Sequence, residues 1–558
     1  MTPPKHDTDA HLKRTRARLA RLGVDVRDDT MRGRCLVAAK AFKRGDLVLA
    51  NAPYGLPVPF CGGPDGTCAG CFRQKNDEMF FNGLGVDERC KECDCVWFCS
   101  ERCKETAMAG GHKQECVVMK RYFEDNPHID PDAPAAPDGG FARISALYRQ
   151  CGMQYHDNDE PTDVDITSPY LVPTAGDKAD ATARWPAIGF NWRDFLAGDW
   201  GSPETIAGLR NVAAAINPTL MPVSVSDEEV EQEIVRSRLN DFFIQQFTGG
   251  DPSPIAAAVY PLGALLNHSC YPTCVCSYRL DDSSSSGMTW IQEFRACRDV
   301  KAGEELTHAY VDASDWATHR RAALFDRFGF VCTCARCPTT AEGDPEEPPE
   351  PMKYVLPPRQ PPTMEMMGNM TEDKRSAQMG RYIQCQEEFW AVAAMRDDKR
   401  SIAVVKIAGN LIQAAEQAEE VSDERRKAEK AADLLRALTV DPNAHLNMKL
   451  REPYKPCPTV PMRIKALAMA SNMAMFEGDF EASLKLGEEL VECFKTGYGT
   501  NWHAKIANEL IRLGGVAREG LGDEEKAKEL FREALEIGRV TMGEECWVCK
   551  TAKGFLSE

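Results

Sequence analysis

Between residues 68 and 116 the chain carries soft ligands in four close pairs: Cys68-x2-Cys71, Cys90-x2-Cys93, Cys99-x3-Cys103 and His112-x3-Cys116. A zinc ion takes four sulfur or nitrogen donors tetrahedrally, and two or three residues between paired ligands let both face one ion. Seven Cys and one His in this arrangement predict two closed zinc sites rather than unrelated buried thiols. Cys61 and Cys95 stand beside the block and are spare. A second grouping, Cys332-x-Cys334-x2-Cys337, supplies three ligands and needs a fourth from elsewhere. A third stretch, Leu265–Cys274, reads LLNHSCYPTC and sets an Asn, a His, a Ser and two cysteines directly after an apolar run. A lone His-Ser pair is ordinarily structural, so its meaning rests on what surrounds it.

The bulk properties narrow the chemistry. A chain of 558 residues is too long for one core and implies several domains. Its net charge of −18 disfavours duplex DNA as a direct partner, and no basic recognition helix is apparent. The charge is uneven: residues 1–125 are slightly basic and the remainder is acidic, which biases the body toward basic protein segments. No apolar run is long enough to span a bilayer. The opening MTPPKHDTDAHLKRTRARLARLG lacks the apolar core of a secretory signal and reads as a solvated basic helix, with nuclear import the alternative. Twenty-three cysteines in such a chain point to metal rather than to disulfides. The expectation is a monomer of the cytoplasm, the nucleus or both, without a membrane or nucleic-acid partner.

Several elements must position these ligands. RCLVAA and DLVLAN read as short strands around the turn FKRGD, and strands return over 256–311 in AAAVYPLGALL, CVCSYRL, TWIQEFRACRDV and ELTHAYVD, with DDSSSSG as a hairpin loop. The stretch 124–140 is an acidic, Pro-rich loop, and residues 141–247 read as mainly helical. A Pro/Glu-rich linker over 338–362 precedes a long helical C-terminus, with helices expected over 378–396, 401–437 and 462–495. There Leu510, Leu513 and Ala517, then Ala527, Leu530, Phe531 and Ala534, fall on helical faces around the turn REGLGDEEK. The Leu513–Gly514 pair and the Ala527-x3-Phe531 spacing resemble a tetratricopeptide helix pair, with a plain helical bundle as the alternative.

The ligand block, down to VWFCSERC and GHKQEC, resembles the MYND zinc finger. RGRCLVAA, NHSC, GEELTHAYVD and RFGFVCTCARC together resemble the SET domain of protein lysine methyltransferases. SET and MYND in this interleaved order, with a helical C-terminus, resemble the SMYD family over nearly the whole chain. The resemblance implies an α+β fold: a SET β-fold split by a MYND finger, with a helical insertion, a post-SET zinc site and an all-α tetratricopeptide-like domain. The corresponding boundaries are 1–22 for a basic helix, 23–60 and 251–312 for SET, 61–120 for MYND, 121–250 for the insertion, 313–338 for post-SET, 339–375 for the linker and 376–558 for the C-terminal domain.

The resemblance also implies roles. Zinc ligands interleave as Cys68, Cys71, Cys99, Cys103 and as Cys90, Cys93, His112, Cys116, and Cys270 completes a third zinc with Cys332, Cys334 and Cys337. MYND fingers of this kind bind proline-containing peptides. The cofactor is S-adenosylmethionine. Asn267 suits its amino-acid end because an amide both donates and accepts, and His268 contacts it through the backbone. Gly33 and Arg34 match the cofactor loop, Asn240 a further contact, and Phe330 the lining of the cofactor or lysine channel. Tyr310 matches the active-site tyrosine, touching cofactor and orienting the lysine amine. The family has Gly where this chain has Cys35, so a side chain held at positive φ and crowding the adenosine is expected to weaken cofactor binding. Thr273 replaces an Asn of the motif, and Cys274 and Cys276 are packing residues. Two readings follow: methylation of lysines in histone or other proteins, or a catalytically weak or inactive zinc-stabilised scaffold that recruits partners through MYND and the C-terminal helices.

Overall fold

A computed structural model describes residues 16–17, 19–29, 33–51, 53, 58–59, 68–71, 88–94, 96–108, 112, 116, 120, 124, 239–246, 253–260, 262–281, 289–315, 317–334, 336–337, 339–340, 399–436, 448–449 and 460–557. Segments 125–140, 282–287 and 341–362, the helical readings over 141–238 and 378–396, and Cys61 and Cys95 lie outside the described residues. The chain forms two compact units, Met1–Asn267 with Thr273–Thr307, and His268–Pro272 with His308–Glu558.

In the first unit β1 (Val24–Asp29) and β2 (Gly33–Ala38) form an antiparallel hairpin, with Val26 opposite Leu36 and Arg27 opposite Cys35. Val24 and Val26 are buried while Asp25 and Arg27 face solvent, the period-2 pattern of a half-buried strand. The carbonyl of Leu36 accepts from the Leu306 amide at 2.8 Å, and that of Glu304 from the Ala38 amide at 2.9 Å, which lays GEEL along β2. In the turn before β3 (Leu47–Asn51), the Lys43 amide donates to Asp46 Oδ2 at 2.7 Å.

The finger contributes β4 (Val58–Pro59) before it, then β5 (Glu88–Arg89), β6 (Trp97–Phe98) and α1 (Glu101–Ala107). β7 (Asp241–Gln246) and β4 flank β8 (Ser253–Val259) in a three-stranded sheet. The helical reading of 141–247 is therefore corrected at its end: residues 241–246 are a strand. Phe242, Phe243 and Ile244 are β-favouring types, and six residues are too few for periodicity to separate strand from helix.

After β9 (Asn267–His268), β10 (Cys274–Asp281) and β11 (Thr289–Ala296) join β3 in a second sheet, ordered β10-β11-β3. Glu293 on β11 is buried, and Arg279 and Arg295 reach its two carboxylate oxygens at 3.1 and 2.9 Å. A buried carboxylate needs this pairing, because removing one partner would strand a charge away from water. The strand expected over ELTHAYVD reaches only β12 (Thr307–His308).

The second unit continues with α2 (Ala317–Phe328) and then α3 (Lys399–Glu416), α4 (Val421–Arg436), α5 (Val460–Phe476), α6 (Phe480–Tyr498), α7 (Ala504–Gly515), α8 (Glu524–Met542) and α9 (Trp547–Ser557). Each helix from α3 to α9 packs on the next. α6 and α8 begin alike: Asp479 accepts from the Ala482 amide at 3.2 Å and Asp523 from the Lys526 amide at 3.0 Å, each satisfying an otherwise orphaned donor. Leu510, Leu513, Ala517, Ala527, Leu530, Phe531 and Ala534 are all buried in one core, as their helical spacing predicts. Gly514 lets the Phe531 ring approach: a Cβ there would lie 2.3 Å from the ring. Phe531→Ala removes that ring from a fully packed position and should destabilise the helical region by about 3–5 kcal/mol. Urea unfolding followed by far-ultraviolet circular dichroism checks this, and a loss under about 1 kcal/mol would contradict the packing.

Candidate metal centres and active-site residues

Each finger cluster is assembled by local backbone geometry. Cys68 bridges to Trp97 in parallel, and the Cys99 amide donates to Cys68 Sγ at 3.2 Å. Ser100 caps α1 by accepting from the Cys103 amide at 3.2 Å, which presents the Cys103 sulfur from the first turn of the helix. The Cys90–Cys93 knuckle closes with the Asp94 amide on the Cys90 carbonyl at 2.9 Å, and Asp94 is the one non-glycine residue at positive φ among the described residues. His112 is fully buried and meets the Phe98 ring edge-on, with centroids 5.9 Å apart.

The structure brings together three sets of ligand atoms, each lying within 4.8 Å of one another: Cys68, Cys71, Cys99, Cys103; Cys90, Cys93, His112, Cys116; and Cys270, Cys332, Cys334, Cys337. These are the interleaved sets that the resemblance implies. A tetrahedron with metal–sulfur bonds of ~2.3 Å has edges of about 3.8 Å. The sulfurs of Cys71 and Cys99 lie 3.5 Å apart, Cys90 and Cys116 3.6 Å, Cys270 and Cys332 3.9 Å, and Cys270 and Cys337 3.7 Å, with Cys93 Sγ 3.8 Å from His112 Nε2. Donor type, count and spacing therefore fit a zinc-sized ion. Hydrogen bonds from neighbouring thiols, Cys103 foremost for Cys68 and Cys332 foremost for Cys270, hold these two sulfurs far below the ordinary thiol range.

Two arginines absent from the sequence reading complete the third cluster. Arg320 and Arg336 are 2% and 1% exposed, values that ordinary surface arginines never approach. Arg320 Nε donates to Cys270 Sγ at 3.1 Å. Arg336 Nη1 donates to the carbonyls of Cys270 and Tyr498, each at 3.1 Å, and its Nη2 donates to that of Gly497. Four thiolates around a divalent ion would carry a net charge near −2, which two buried guanidiniums offset. Arg336 also satisfies two carbonyls left open at the C-terminus of α6. Burial, with Arg320 nearby, pushes its guanidinium down to about 10. Only the position of Arg336 between two ligand cysteines could have drawn attention to it.

The same cluster adjoins Tyr310. The Tyr310 amide donates to His268 Nδ1 at 2.9 Å, and His268 Nε2 lies 3.2 Å from Cys270 Sγ. An Nδ1 that accepts leaves the neutral ring with its proton on Nε2, facing the sulfur. That side-chain bond takes the Tyr310 amide out of any strand ladder, which is why the strand stops at His308. Around the Tyr310 ring stand His308, Phe328, His268 and Phe330, with centroids 4.8, 4.9, 5.3 and 6.4 Å away. Burial, with His268 nearby, pushes His308 down to about 3, so it is neutral at ordinary pH.

Of the other cofactor candidates, Gly33, Arg34, Cys35, Asn240 and Asn267 belong to the first unit, and His268, Tyr310 and Phe330 to the second. Asn267 Nδ2 donates to Glu305 Oε1 at 2.9 Å, and Asn240 immediately precedes β7. The positive φ expected at Cys35 is corrected. The residue sits in regular β2, with negative φ and fully buried, and its thiol donates to the Arg27 carbonyl at 3.5 Å. A paired strand needs no glycine there. Thr273, in place of the motif's Asn, makes a reciprocal pair with Thr307: Oγ1 accepts from the Thr307 amide at 2.7 Å, and Thr307 Oγ1 from the Thr273 amide at 3.2 Å. Cys274 is fully buried and Cys276 half-buried, consistent with packing roles.

With the strands, the sulfur clusters and the tyrosine in view, the class is defined: residues 33–311 match the SET domain family over half of the chain, and the chain belongs to that family. Its relatives bear out the resemblance to the SMYD branch. It is 24% identical over 327 residues to Histone-lysine N-methyltransferase ASHR2 of Arabidopsis thaliana, covering 57% of this chain and 73% of the relative. It is 25% identical over 317 residues to human Histone-lysine N-methyltransferase SMYD3, covering 55% of this chain and 60% of that protein. A Dictyostelium discoideum SET and MYND domain-containing protein is 22% identical over 345 residues, with 56% and 81% covered.

Purified protein should hold three zinc ions per chain, and Cys332→Ser should hold two while keeping the finger pair. Plasma mass spectrometry of the desalted proteins measures this. Equal metal content in wild type and variant would remove the third site.

Proposed function

We propose that the protein is an S-adenosylmethionine-dependent N-methyltransferase acting on lysines of histones or other proteins. The observation that carries this reading is the Tyr310 ring, boxed by four aromatic side chains and held through its own amide by His268. Aromatic faces attract cationic groups, so this cluster of rings suits a neighbouring sulfonium. S-adenosylmethionine, when bound, supplies the methyl group and the positive sulfur that makes it electrophilic. Gly33, Arg34, Cys35, Asn240, Asn267, His268, Tyr310 and Phe330 are the residues proposed to hold it. Asn267 donates one amide hydrogen to Glu305, and its carbonyl oxygen is an acceptor suited to the ammonium end of an amino acid.

The chain's own residues set the protonation problem. A lysine amine has a pKa near 10.4 in water and is no nucleophile while protonated. Removal from water disfavours the charged form and lowers that value. Asp312 is not available as a base: its Oδ2 meets Lys505 Nζ at 3.2 Å and the Tyr498 hydroxyl at 3.4 Å, and its Oδ1 accepts from Ser314. The route proposed is proton loss to water. The Tyr310 hydroxyl then orients the neutral amine.

The further readings rest on the same residues. Three zincs are proposed for the three clusters, a proline-peptide site for the MYND finger and a tetratricopeptide-like arrangement for α3–α9. The location proposed is nucleus or cytoplasm; among the described residues no helix is long and apolar enough to cross a membrane. The scaffold alternative drew its main motive from Cys35, and the regular strand geometry there speaks against backbone strain at that residue.

Tyr310→Phe should leave the Kd for S-adenosylmethionine within about twofold and lower the transfer rate by ~10²–10³. Single-turnover transfer of labelled methyl to proteins of a cell extract measures the rate, and calorimetry the binding. In wild type the rate should rise with pH through the neutral-to-alkaline range, since only the deprotonated amine attacks. Labelling absent from wild type despite cofactor binding would overturn the methyltransferase reading, and equal labelling would overturn the role of Tyr310.

A further inference from the structure

The cysteine pair in GEECWVCK, Cys546-x2-Cys549, belongs to none of the three sulfur clusters. It opens α9. Helical bonding begins at the Cys546 carbonyl, which accepts from the Lys550 amide at 3.1 Å, so Cys546 stands at the N-cap. The Cys549 amide donates to Cys546 Sγ at 3.4 Å, the bond that a Ser or Asp oxygen makes at an ordinary helix start. A sulfur at this position is stabilised as thiolate by an amide donor and by the positive end of the helix.

The two thiols differ in access. Cys546 is half-buried, with its sulfur 4.0 Å from the Gly538 carbonyl, whereas Cys549 is fully buried, with its sulfur 3.7 Å from the Leu535 carbonyl of α8. Gly538 makes room for it: a Cβ on that glycine would lie 3.0 Å from Cys549 Sγ. The acidic neighbours are already paired, Glu544 with Arg539 and Lys553 at 2.7 Å each and Glu545 with Lys550 at 3.5 Å. Their charge is thereby kept from opposing a thiolate at Cys546. Hydrogen bonding between the two thiols, foremost among the causes, lowers Cys546 and raises Cys549 from the ordinary thiol value.

We infer that Cys546 and Cys549 form a redox-active dithiol, with Cys546 the attacking and Cys549 the resolving sulfur, that exchanges with small-molecule disulfides of the glutathione type. The Cys546 thiolate attacks one sulfur of the disulfide, the disulfide bond breaks, and the departing thiolate takes up a proton. Cys549 then gives up its proton and attacks Cys546 Sγ, displacing the second thiol. Two protein thiols become one disulfide and one small disulfide becomes two thiols, so electrons and protons balance. The site is independent of the methyltransferase reading.

Trypsin cleavage after Arg539 and Lys550 yields one peptide, 540–550, that holds both cysteines and no other. The full-length, zinc-loaded protein is equilibrated in buffers of reduced and oxidised glutathione, quenched in acid, alkylated and digested. The peptide should become two hydrogens lighter in a single two-electron transition. Cys549→Ala should trap a glutathione adduct on Cys546, and Cys546→Ser should leave Cys549 unmodified. In the reduced wild type Cys546 should alkylate at least about tenfold faster than Cys549 at neutral pH, a reading that needs no variant. Two free thiols at every glutathione ratio, adducts on both cysteines, or equal alkylation rates would each overturn the inference.

Discussion

The Cys270 sulfur is the point on which the second unit turns. It is fully buried, within 3.9 Å of two other sulfurs, and it faces His268 Nε2 at 3.2 Å and Arg320 Nε at 3.1 Å. Anionic sulfurs crowded in a low-dielectric interior repel one another strongly unless cations and hydrogen-bond donors surround them. The fold supplies both kinds of partner, and each partner carries the constraint further. His268 passes it to the Tyr310 amide, and Arg336, bonded to the Cys270 carbonyl, passes it to the end of α6. One zinc-type cluster thus orders the proposed active-site tyrosine and the helical region together.

The first unit meets the same demand for satisfied buried polar groups by other means. Glu293 lies between two arginines, Asn51 Nδ2 donates to Gln292 Oε1 at 3.1 Å within the β3–β11 pair, and Thr273 and Thr307 bond reciprocally. The Thr273–Thr307 pair ties the residue before β10 to β12 at fixed register. Cys35 fits this order as an ordinary strand residue.

Much of this was legible in the sequence, for a local reason. Metal ligands in a knuckle are two to four residues apart, so their spacing survives in one dimension, and the helical faces around Leu510 and Phe531 repeat with the helix period. What was hidden depends on long-range contact. Arg320 sits fifty residues from the sulfur it serves, and Arg336 reaches carbonyls more than 160 residues away. The strand at Asp241–Gln246 was hidden because its identity comes from pairing with β8, not from its own pattern. Cys546 and Cys549 share the local spacing of the metal-ligand pairs, but their place at the start of α9 does not show in one dimension.

The claim that the third cluster positions the tyrosine is tested most directly by hydrogen exchange at the Tyr310 amide. Exchange would be followed by peptide-resolved mass spectrometry or nuclear magnetic resonance in zinc-loaded wild type and in Cys332→Ser. The account predicts that breaking the cluster speeds exchange at Tyr310 at least about tenfold, equivalent to about 1.4 kcal/mol of lost protection. Unchanged protection at Tyr310, in a variant that has lost one zinc, would show that His268 holds the tyrosine without help from the sulfurs and would contradict the account.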